Sequence, residues 1–383
     1  MSLLEKYYTE EHQIFRESAR RYFQNELAPH VDEWEENSTV PKEVWKGFAE
    51  QGFLCPWIPE EYGGSGVDFL YSVILTEEAA RTKCMGFPFL LHSDVVVPYI
   101  YHFGTEEQKK RWLPGCVSGD ILAAIVMTEP DAGSDVAAIR TTAVRDGDHY
   151  IINGQKTFIS CGGSCNLAVV ATKTDTKADP PFAGISLIVV EEGTPGFKKA
   201  TRLKKIGMHA NDTAELVFED CKVPVGNLLG KEGEGFKYLM ADLQQERIMI
   251  SLSAQLMAEE ALKATIAYTK ERIVFGKPVS RFQYVSFELA KIATEIELGR
   301  TFIESLIIDH IEGREVVQKV SMAKYWITEM LNRIVGKCLQ FHGGYGYMEE
   351  YPIAKMFRDA RVQTIIGGTS EIMLLVISRG LGL

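Results

Sequence analysis

The spacing of the apolar residues changes twice along this chain, so that no fold with a single type of element accommodates it. Over residues 9–118 apolar side chains recur every three or four positions, which predicts amphipathic helices. Over residues 121–224 the period is two, in short β-rich runs separated by Gly, Asp and Pro, which predicts strands. After residue 230 the helical spacing returns in long stretches. The sequence therefore predicts a multidomain α and β protein.

The length supports the same division, because 383 residues exceed what one hydrophobic core usually serves. The predicted domains are an N-terminal α-helical domain over 1–120, a middle β-barrel-like domain over 121–228, and a C-terminal α-helical bundle over 229–383. In the last domain we expect three long helices, over about 235–272, 281–312 and 315–342, of which the last two are long enough for a bundle.

The composition argues against a nucleic-acid-binding protein, a membrane-spanning protein and a metal site. The net charge of −11 argues against a nucleic-acid binder, whose phosphate contacts need a basic surface. No apolar run approaches the roughly 18 residues of a membrane span, so we expect none. Seven irregularly spaced cysteines suit a reducing compartment, and Cys161 and Cys165 lack the neighbours of a zinc site, so we expect no metal. We expect a cytoplasmic protein in a bacterium, or a mitochondrial matrix protein without its transit peptide in a eukaryote.

Motifs of several cofactor classes are missing from the sequence. It contains no phosphate-binding G-x-x-x-x-G-K-[ST], no G-x-G-x-x-G between a strand and a helix, no G-x-S-x-G and no H-E-x-x-H. A nucleotide cofactor would therefore not be held by a Rossmann unit.

Four separated segments, in a fixed order, resemble the acyl-CoA dehydrogenase family. They are residues 127–135 (MTEPDAGSD), 152–160 (INGQKTFIS), 272–277 (RIVFGK), and 340–344 (QFHGG) followed by 367–371 (GGTSE). Each segment alone is a weak signal, but their order and their coverage of nearly the whole chain are specific. The resemblance is closest to long-chain-type and branched-chain-type members, and it implies a bound FAD and an acyl-CoA substrate.

The first two segments supply the kinds of side chain that a flavin ring needs, a flat apolar wall with a few polar donors. The resemblance places Ile125, Met127 and Thr128 beside the ring, and the Ser160 hydroxyl near N5, with Phe158 and Ile159 next to it. The competing interpretation is that these residues are only strand ends and turns.

The resemblance also assigns the rest of the FAD molecule. Arg272, Phe275 and Gln283 surround a helix end followed by a helix start, a corner that in the family meets the pyrophosphate and adenosine across a subunit boundary. Gln340 and Gly344 would reach a neighbour's flavin, and Thr369 and Glu371 would flank the phosphates near a helix N-terminus, which favours anions. An oligomer is implied, a homotetramer by family. The alternative for Arg272 is a solvated surface cation.

The catalytic base is not where many family members carry it. That glutamate directly precedes Gly-Thr-Ser, but this chain has Gly367 there, which still supplies a backbone N–H toward the thioester oxygen. Long-chain-type and isovaleryl-type members instead place the base before an arginine, and Glu246 precedes Arg247. Helical spacing supports Glu246 independently, because Leu239 and Ile250 lie on the same apolar stripe.

Glu246 has a competing interpretation, a carboxylate at the stripe edge that reaches water or pairs with a cation. Arg247 lies about 100° further round the helix, where it would face the substrate or the protein. Ser134 is expected near the CoA thioester, again by resemblance.

The sequence thus predicts FAD-dependent oxidation of an acyl-CoA to the trans-2-enoyl-CoA, with electrons passed to an electron-transfer flavoprotein. An acyl-CoA oxidase or a flavin monooxygenase of the same fold remains an alternative. A non-catalytic flavoprotein is another, because Gly367 stands where a base is expected.

Overall fold

The computed structural model describes residues 2–383, which form helical, β and helical parts in that order. The fold class predicted from the spacing is confirmed. The helices of the N-terminal part are α1 (Glu10–Tyr22), α2 (Val31–Asn37), α3 (Lys42–Glu50), α4 (Phe69–Arg81), α5 (Val97–Phe103) and α6 (Glu106–Ser118).

Local sequence signals explain where these helices begin and end. Thr9 and Thr105 each cap a helix and form a capping box with the residue three positions on, His12 and Gln108. Gly119 ends α6 in the left-handed conformation, with φ of 74°. A wider π-helical turn, Leu91–Val96, leads into α5 and buries its polar residues.

The middle part is one eight-stranded sheet, and its strand order is β6-β7-β3-β2-β4-β5-β8, with β1 parallel to β4. The strands are β1 (Ala123–Val126), β2 (Thr142–Asp146), β3 (His149–Ser160), β4 (Leu167–Lys173), β5 (Ile185–Glu191), β6 (Phe197–Arg202), β7 (Thr213–Pro224) and β8 (Leu228–Leu229).

Strands β4 and β5 are buried along almost their whole length because each face packs on a different core. Val169 and Val189 point into a core shared with the N-terminal helices, whereas Val170 and Val190 point into the core of the β-domain. These two strands therefore fix the β-domain to the helices that precede it.

The C-terminal part contains α7 (Gly235–Glu271), α8 (Gln283–Ile311), α9 (Val317–His342), α10 (Pro352–Ala360) and α11 (Ser370–Gly380). Helix α7 packs on α4, α5, α8 and α9. Its 37 residues thus run through the junction of the N-terminal and C-terminal parts.

The predicted corner between the first two of the three long helices differs in detail. Instead of one helix following another, a short antiparallel hairpin of β9 (Ile273–Val274) and β10 (Lys277–Pro278) stands between α7 and α8. Phe275 and Gly276 at its tip both have positive φ, 48° and 76°, which is the backbone of a two-residue hairpin turn. The side chain of Phe275 is 95% exposed.

Two further properties concern the whole described chain. All seven cysteines are buried and have free thiols. Among residues 2–383, no helix combines the length and the apolar character that crossing a membrane requires.

Candidate active site

The two predicted catalytic positions lie next to each other, although 121 positions separate them in the sequence. Glu246 is on α7 and Gly367 is in the turn before α11. A Cβ atom added to Gly367 would lie 3.5 Å from Oε1 of Glu246. The structure therefore brings both positions that supply the base in different family members to one point.

Glu246 sits in an unusual environment for a carboxylate. The residue as a whole keeps some exposure, but its Oε2 atom is enclosed and has no hydrogen-bond partner among residues 2–383. Burial raises the pKa of Glu246 from 4.5 to about 6, and the negative charge of Asp242 adds to this, while Arg247 and Lys324 oppose it. For this oxygen the competing interpretation, contact with water or with a cation, does not hold.

Two buried cations hold the turn that carries Gly367. The Arg247 guanidinium donates from Nε to the carbonyl oxygen of Gly367 (3.4 Å) and from Nη1 to Oγ of Ser321 (3.3 Å). Lys324 on α9 donates to the carbonyl oxygen of Gly368 (2.6 Å). Of the two orientations considered for Arg247, the structure shows the contact with the protein, and its predicted role in substrate binding stays a prediction.

Lys324 was missed by the sequence analysis. Its side chain is fully buried on the apolar face of α9, beside Val320 and Ile327. Burial lowers the pKa of Lys324 to about 8, and Arg247 adds to this, while Glu246 opposes it. The signal that could have revealed it is the one that revealed Glu246, a charged residue in register with an apolar stripe.

The residues predicted for the flavin ring come together at the ends of two strands. Ile125 lies on β1, Met127 and Thr128 follow it, and the Thr157 N–H donates to the Thr128 carbonyl (2.9 Å) where β3 passes. Phe158 has a φ of 57° and its side chain is 68% exposed.

Ser160, at the end of β3, is partly exposed like Ile125, Met127 and Thr128. The side chain of Ile159 instead packs in the β-domain core. At this surface Ile159 therefore offers its backbone only. Ser134 is exposed in the loop that follows.

A buried ion pair lies beneath the residues predicted to contact the flavin ring. Lys156 lies 2.8 Å from Oε1 of Glu129 and donates to the Met127 carbonyl (2.8 Å). Glu129 also accepts from the backbone N–H groups of Arg140 (2.6 Å) and Thr141 (2.9 Å). Against the effect of burial, Lys156 and these hydrogen bonds hold the pKa of Glu129 below its ordinary value. The Met127-Thr128 segment is thus held by the Lys156–Glu129 ion pair as well as by the backbone hydrogen bond from Thr157.

The other predicted cofactor residues line two separate cavities. One, of about 520 Å³, contains Arg272, Gln340 and Gly344, with the Arg272 guanidinium 5.6 Å from the centre of the Tyr345 ring. The second, of about 340 Å³, contains Thr369 and Glu371.

Phe275 and Gln283 are exposed beside α8 and belong to neither cavity. Thr369 caps the eleven-residue helix α11 and accepts from the Ile372 N–H (3.3 Å). The structure therefore gathers these residues in groups rather than on one surface.

This arrangement fits FAD. The exposed Phe158 ring and the partly exposed Met127 offer an apolar wall for a flat ring system, and Arg272 offers a cation within a cavity. The start of α11 offers backbone N–H groups for a phosphate. The individual contacts assigned to these residues remain predictions.

Comparison with known proteins agrees with the geometry. The chain matches the family models for the acyl-CoA dehydrogenase N-terminal domain (residues 9–120), middle domain (124–221) and C-terminal domain (233–382). It is 46% identical over 376 residues to the mitochondrial long-chain specific acyl-CoA dehydrogenase of Mus musculus, covering 98% of this chain and 87% of that protein.

Solved structures show the same relationship. An acyl-CoA dehydrogenase from Geobacillus kaustophilus superposes with a TM-score of 0.98 at 52% identity, over 100% of both chains. A glutaryl-CoA dehydrogenase from Mycobacterium smegmatis, solved in complex with FADH2, superposes with a TM-score of 0.89 at 30% identity, over 98% of this chain and 96% of that one. This chain therefore belongs to the acyl-CoA dehydrogenase family and is an FAD-dependent oxidoreductase.

Proposed function

We propose that Glu246 is the base that removes the α-proton of an acyl-CoA thioester, that the product is the trans-2-enoyl-CoA, and that the electrons pass to an electron-transfer flavoprotein. The observation that carries this proposal is the enclosed, unpartnered Oε2 of Glu246 beside Gly367. A structural carboxylate would be expected to have a partner, because an unpaired buried acceptor is costly.

The electrostatics of Glu246 suit proton abstraction near neutral pH. With a pKa of about 6, the carboxylate is mostly ionised at pH 7 and is a stronger base than an exposed glutamate. Arg247 and Lys324 keep the pKa from rising further, since both stabilise the ionised form. The group is therefore both available and basic at the working pH.

Gly367 and its neighbours have a second part in the proposal. The Gly367 N–H is the candidate donor to the thioester oxygen, where charge develops as the α-proton leaves. Arg247 and Lys324 hold the carbonyl groups of Gly367 and Gly368, so that the turn keeps its orientation. The two cations thus serve the thioester contact through the backbone.

FAD, when bound, supplies the acceptor for the hydride that leaves the β-carbon. Met127, Thr128 and Phe158 would hold its ring system, and Arg272 with the start of α11 would hold its phosphates. Because Arg272 and Thr369 line different cavities, we infer that one FAD is shared between two chains.

The surface supports an oligomer, and we propose a homotetramer. The C-terminal part carries most of the large apolar side chains that are exposed in the single chain: Met240, Ile273, Phe275, Tyr284, Phe287, Leu298, Tyr345, Tyr347, Met348, Phe357, Ile365, Ile366, Leu374, Leu375, Leu381 and Leu383. Exposed apolar surface on this scale is typical of a surface that another chain covers.

The test is anaerobic stopped-flow reduction of the flavin by a saturating acyl-CoA. Glu246→Gln should keep the yellow colour and bind the acyl-CoA, yet reduce its flavin more slowly by several orders of magnitude, because the amide cannot accept the proton. Glu260→Gln, a partly exposed carboxylate on the same helix, is the matched control and should behave like the parent.

Two outcomes would contradict parts of the proposal. Flavin reduction by Glu246→Gln near the parent rate would place the base elsewhere. Rapid oxygen consumption during turnover of the parent would identify an oxidase, and an absence of any flavin reduction by a panel of acyl-CoAs would favour the non-catalytic flavoprotein.

A further inference from the structure

A second carboxylate lies one helical turn before Glu246. Asp242 is on α7, its side chain is only 12% exposed, and its Oδ2 atom is enclosed without a hydrogen-bond partner among residues 2–383. Its other oxygen, Oδ1, lies 2.9 Å from Nδ1 of His102 on α5. Asp242 is thus bound to a histidine on one side and has a free, enclosed oxygen on the other.

The helix geometry places the Asp242 side chain on the same face of α7 as Glu246. Residues four apart on a helix share one face, with Cβ atoms about 6 Å apart. Both Asp242 and Glu246 have one enclosed oxygen without a partner. The negative charge of Asp242 also acts on Glu246, so the two carboxyl groups are neighbours, and side-chain rotation or one intervening water would connect them.

Tyr99 of α5 packs on the same stretch of α7. Its side chain is buried, and its hydroxyl lies 3.4 Å from the Leu239 carbonyl oxygen. Burial raises the pKa of Tyr99 far above its ordinary value, and the negative charges of Glu246 and Asp242 add to this effect. The Tyr99 phenol therefore stays protonated and uncharged beside both carboxylates.

His102 connects this enclosed pair to solvent, because its side chain is 43% exposed. The remaining charged groups that face Glu246 are Arg247, on its own helix, and Lys324 on α9. Both are cations that hold the Gly367-Gly368 turn, so neither is free to accept a proton. Glu246 itself is partly exposed, but among the groups around it Asp242 and His102 form a line that can accept a proton and that also ends in water.

We propose that Asp242 and His102 form the route by which the proton taken up by Glu246 leaves the protein. The proposal rests on the assignment of Glu246 as the base. The proton bound to the Glu246 carboxylate passes to Asp242, then to Nδ1 of His102, and His102 releases a proton from Nε2 to water. Each step breaks one O–H or N–H bond and forms another, and no electrons are gained or lost.

The experiment separates proton removal from proton exit. It uses the FAD-loaded protein, in D2O, with an acyl-CoA whose β-methylene is replaced by sulfur and which therefore cannot lose a hydride there. Mass spectrometry follows the replacement of the α-hydrogen by deuterium. Exchange requires the proton to leave Glu246 for solvent, whereas flavin reduction in a single turnover requires only its removal from the substrate.

His102→Asn is the main variant, because asparagine keeps a polar side chain at this exposed position but cannot carry a proton. We expect exchange to fall by about tenfold or more, with flavin reduction by an ordinary acyl-CoA changed by less than about threefold, and we expect added imidazole to restore exchange. Asp242→Asn should also slow exchange, without rescue by imidazole, and Asp242→Glu should retain most of it. Asp148→Asn, at the exposed His149–Asp148 pair of the middle domain, is the matched control.

The outcomes distinguish this proposal from the one on which it rests. If Glu246→Gln still exchanges the α-hydrogen, the base is wrong. If Glu246→Gln loses exchange while His102→Asn and Asp242→Asn exchange at the parent rate, the base stands and the route is overturned. Flavin content and melting temperature check folding, and His102→Asn alone decides the matter if Asp242→Asn does not fold.

Discussion

The ammonium group of Lys324 lies 2.6 Å from the carbonyl oxygen of Gly368, and this hydrogen bond ties α9 to the turn that faces Glu246. The same charge lowers the pKa of Glu246. One buried lysine therefore acts both on the turn of the proposed thioester contact and on the pKa of the proposed base.

Lys324→Met should reveal both effects. Without the cation the pKa of Glu246 rises, so the acidic limb of the pH profile for flavin reduction should move to higher pH. The maximal rate should fall by roughly tenfold to a hundredfold, because a loosened turn misplaces a reacting group. Lys319→Met, on the exposed face of the same helix, should leave the profile unchanged. An unshifted acidic limb in Lys324→Met would mean that this charge does not act on the base.

Asp242→Asn should move the acidic limb the other way. The negative charge of Asp242 raises the pKa of Glu246, so its removal lowers that pKa and extends activity to lower pH. The pH profile of flavin reduction measures this shift, and Asp242→Glu should restore the parent profile. If the acidic limb shifted in the same direction in Asp242→Asn and Lys324→Met, the two charges would not act in opposite directions on the pKa of Glu246.

Removing the Glu246 charge should stabilise the fold at neutral pH. Its carboxyl has a pKa of about 6 when folded against an ordinary 4.5, so the folded protein binds this proton more tightly and loses stability as pH rises between these values. The difference corresponds to about 2 kcal/mol at most. Melting temperatures should be measured from pH 4.5 to pH 8. The difference between Glu246→Gln and the parent should grow in favour of the variant up to about pH 6 and stay constant above it. A gain that is independent of pH would indicate a packing effect instead.

A carboxylate at position 367 should partly replace the one at position 246. A Cβ atom at Gly367 points within 3.5 Å of Oε1 of Glu246, but it would also lie 2.3 Å from Cδ1 of Ile250, and φ is 61°. Gly367→Glu in the Glu246→Gln background should therefore recover some flavin reduction, and more when Ile250→Ala provides room. Flavin reduction that stays at the Glu246→Gln level in the triple variant would show that the two positions do not reach the same α-carbon.

Arg272→Ala should weaken FAD retention more than folding. A charge-assisted contact with a phosphate contributes about 1.5 to 3 kcal/mol, which is about tenfold to a hundredfold in affinity. Flavin content after dilution and gel filtration measures the loss, and Lys263→Ala, an exposed cation on α7, is the control. Full flavin content in Arg272→Ala would show that Arg272 is a solvated surface cation and does not hold FAD.

Phe275→Ser should weaken assembly of the proposed tetramer of 42.9 kDa chains, because Phe275 is 95% exposed in the single chain, although the Phe282 ring lies 6.3 Å away from centre to centre. Light scattering coupled to gel filtration should show smaller species at low concentration. Val144→Ser, at an exposed apolar residue of the middle domain, should leave the mass unchanged. A monomeric parent would overturn the tetramer itself.

Much of the fold follows from spacing. The predicted long helices begin and end within about two residues of α7, α8 and α9, because long amphipathic stripes dominate local signals there. Glu246 could be found because a carboxylate on an apolar stripe conflicts with its surroundings. The predicted domain boundaries stay predictions, since helix and strand limits do not by themselves divide a chain into units.

Other features lay beyond the sequence for physical reasons. The Ile273–Val274 and Lys277–Pro278 strands are too short to show a period of two, so the sequence predicts a helix corner there instead of a hairpin. The contacts of Arg247 and Asp242 depend on which helices meet α7, and this is set by packing between distant segments. The orientation of Ile159 was also out of reach, because the pairing of β3 with β7 shifts register between Lys156 and Ile159.

The seven buried thiols can report local unfolding of the protein, because they become accessible to reagents only where the structure opens. Burial raises the pKa of every one of these cysteines, so an alkylating reagent meets almost no thiolate while the chain is folded. Three of them lie in the N-terminal helices and their loops, three in the β-domain, and Cys338 lies on α9. The order in which peptides acquire the label would therefore record which part of the molecule opens first, without any introduced probe.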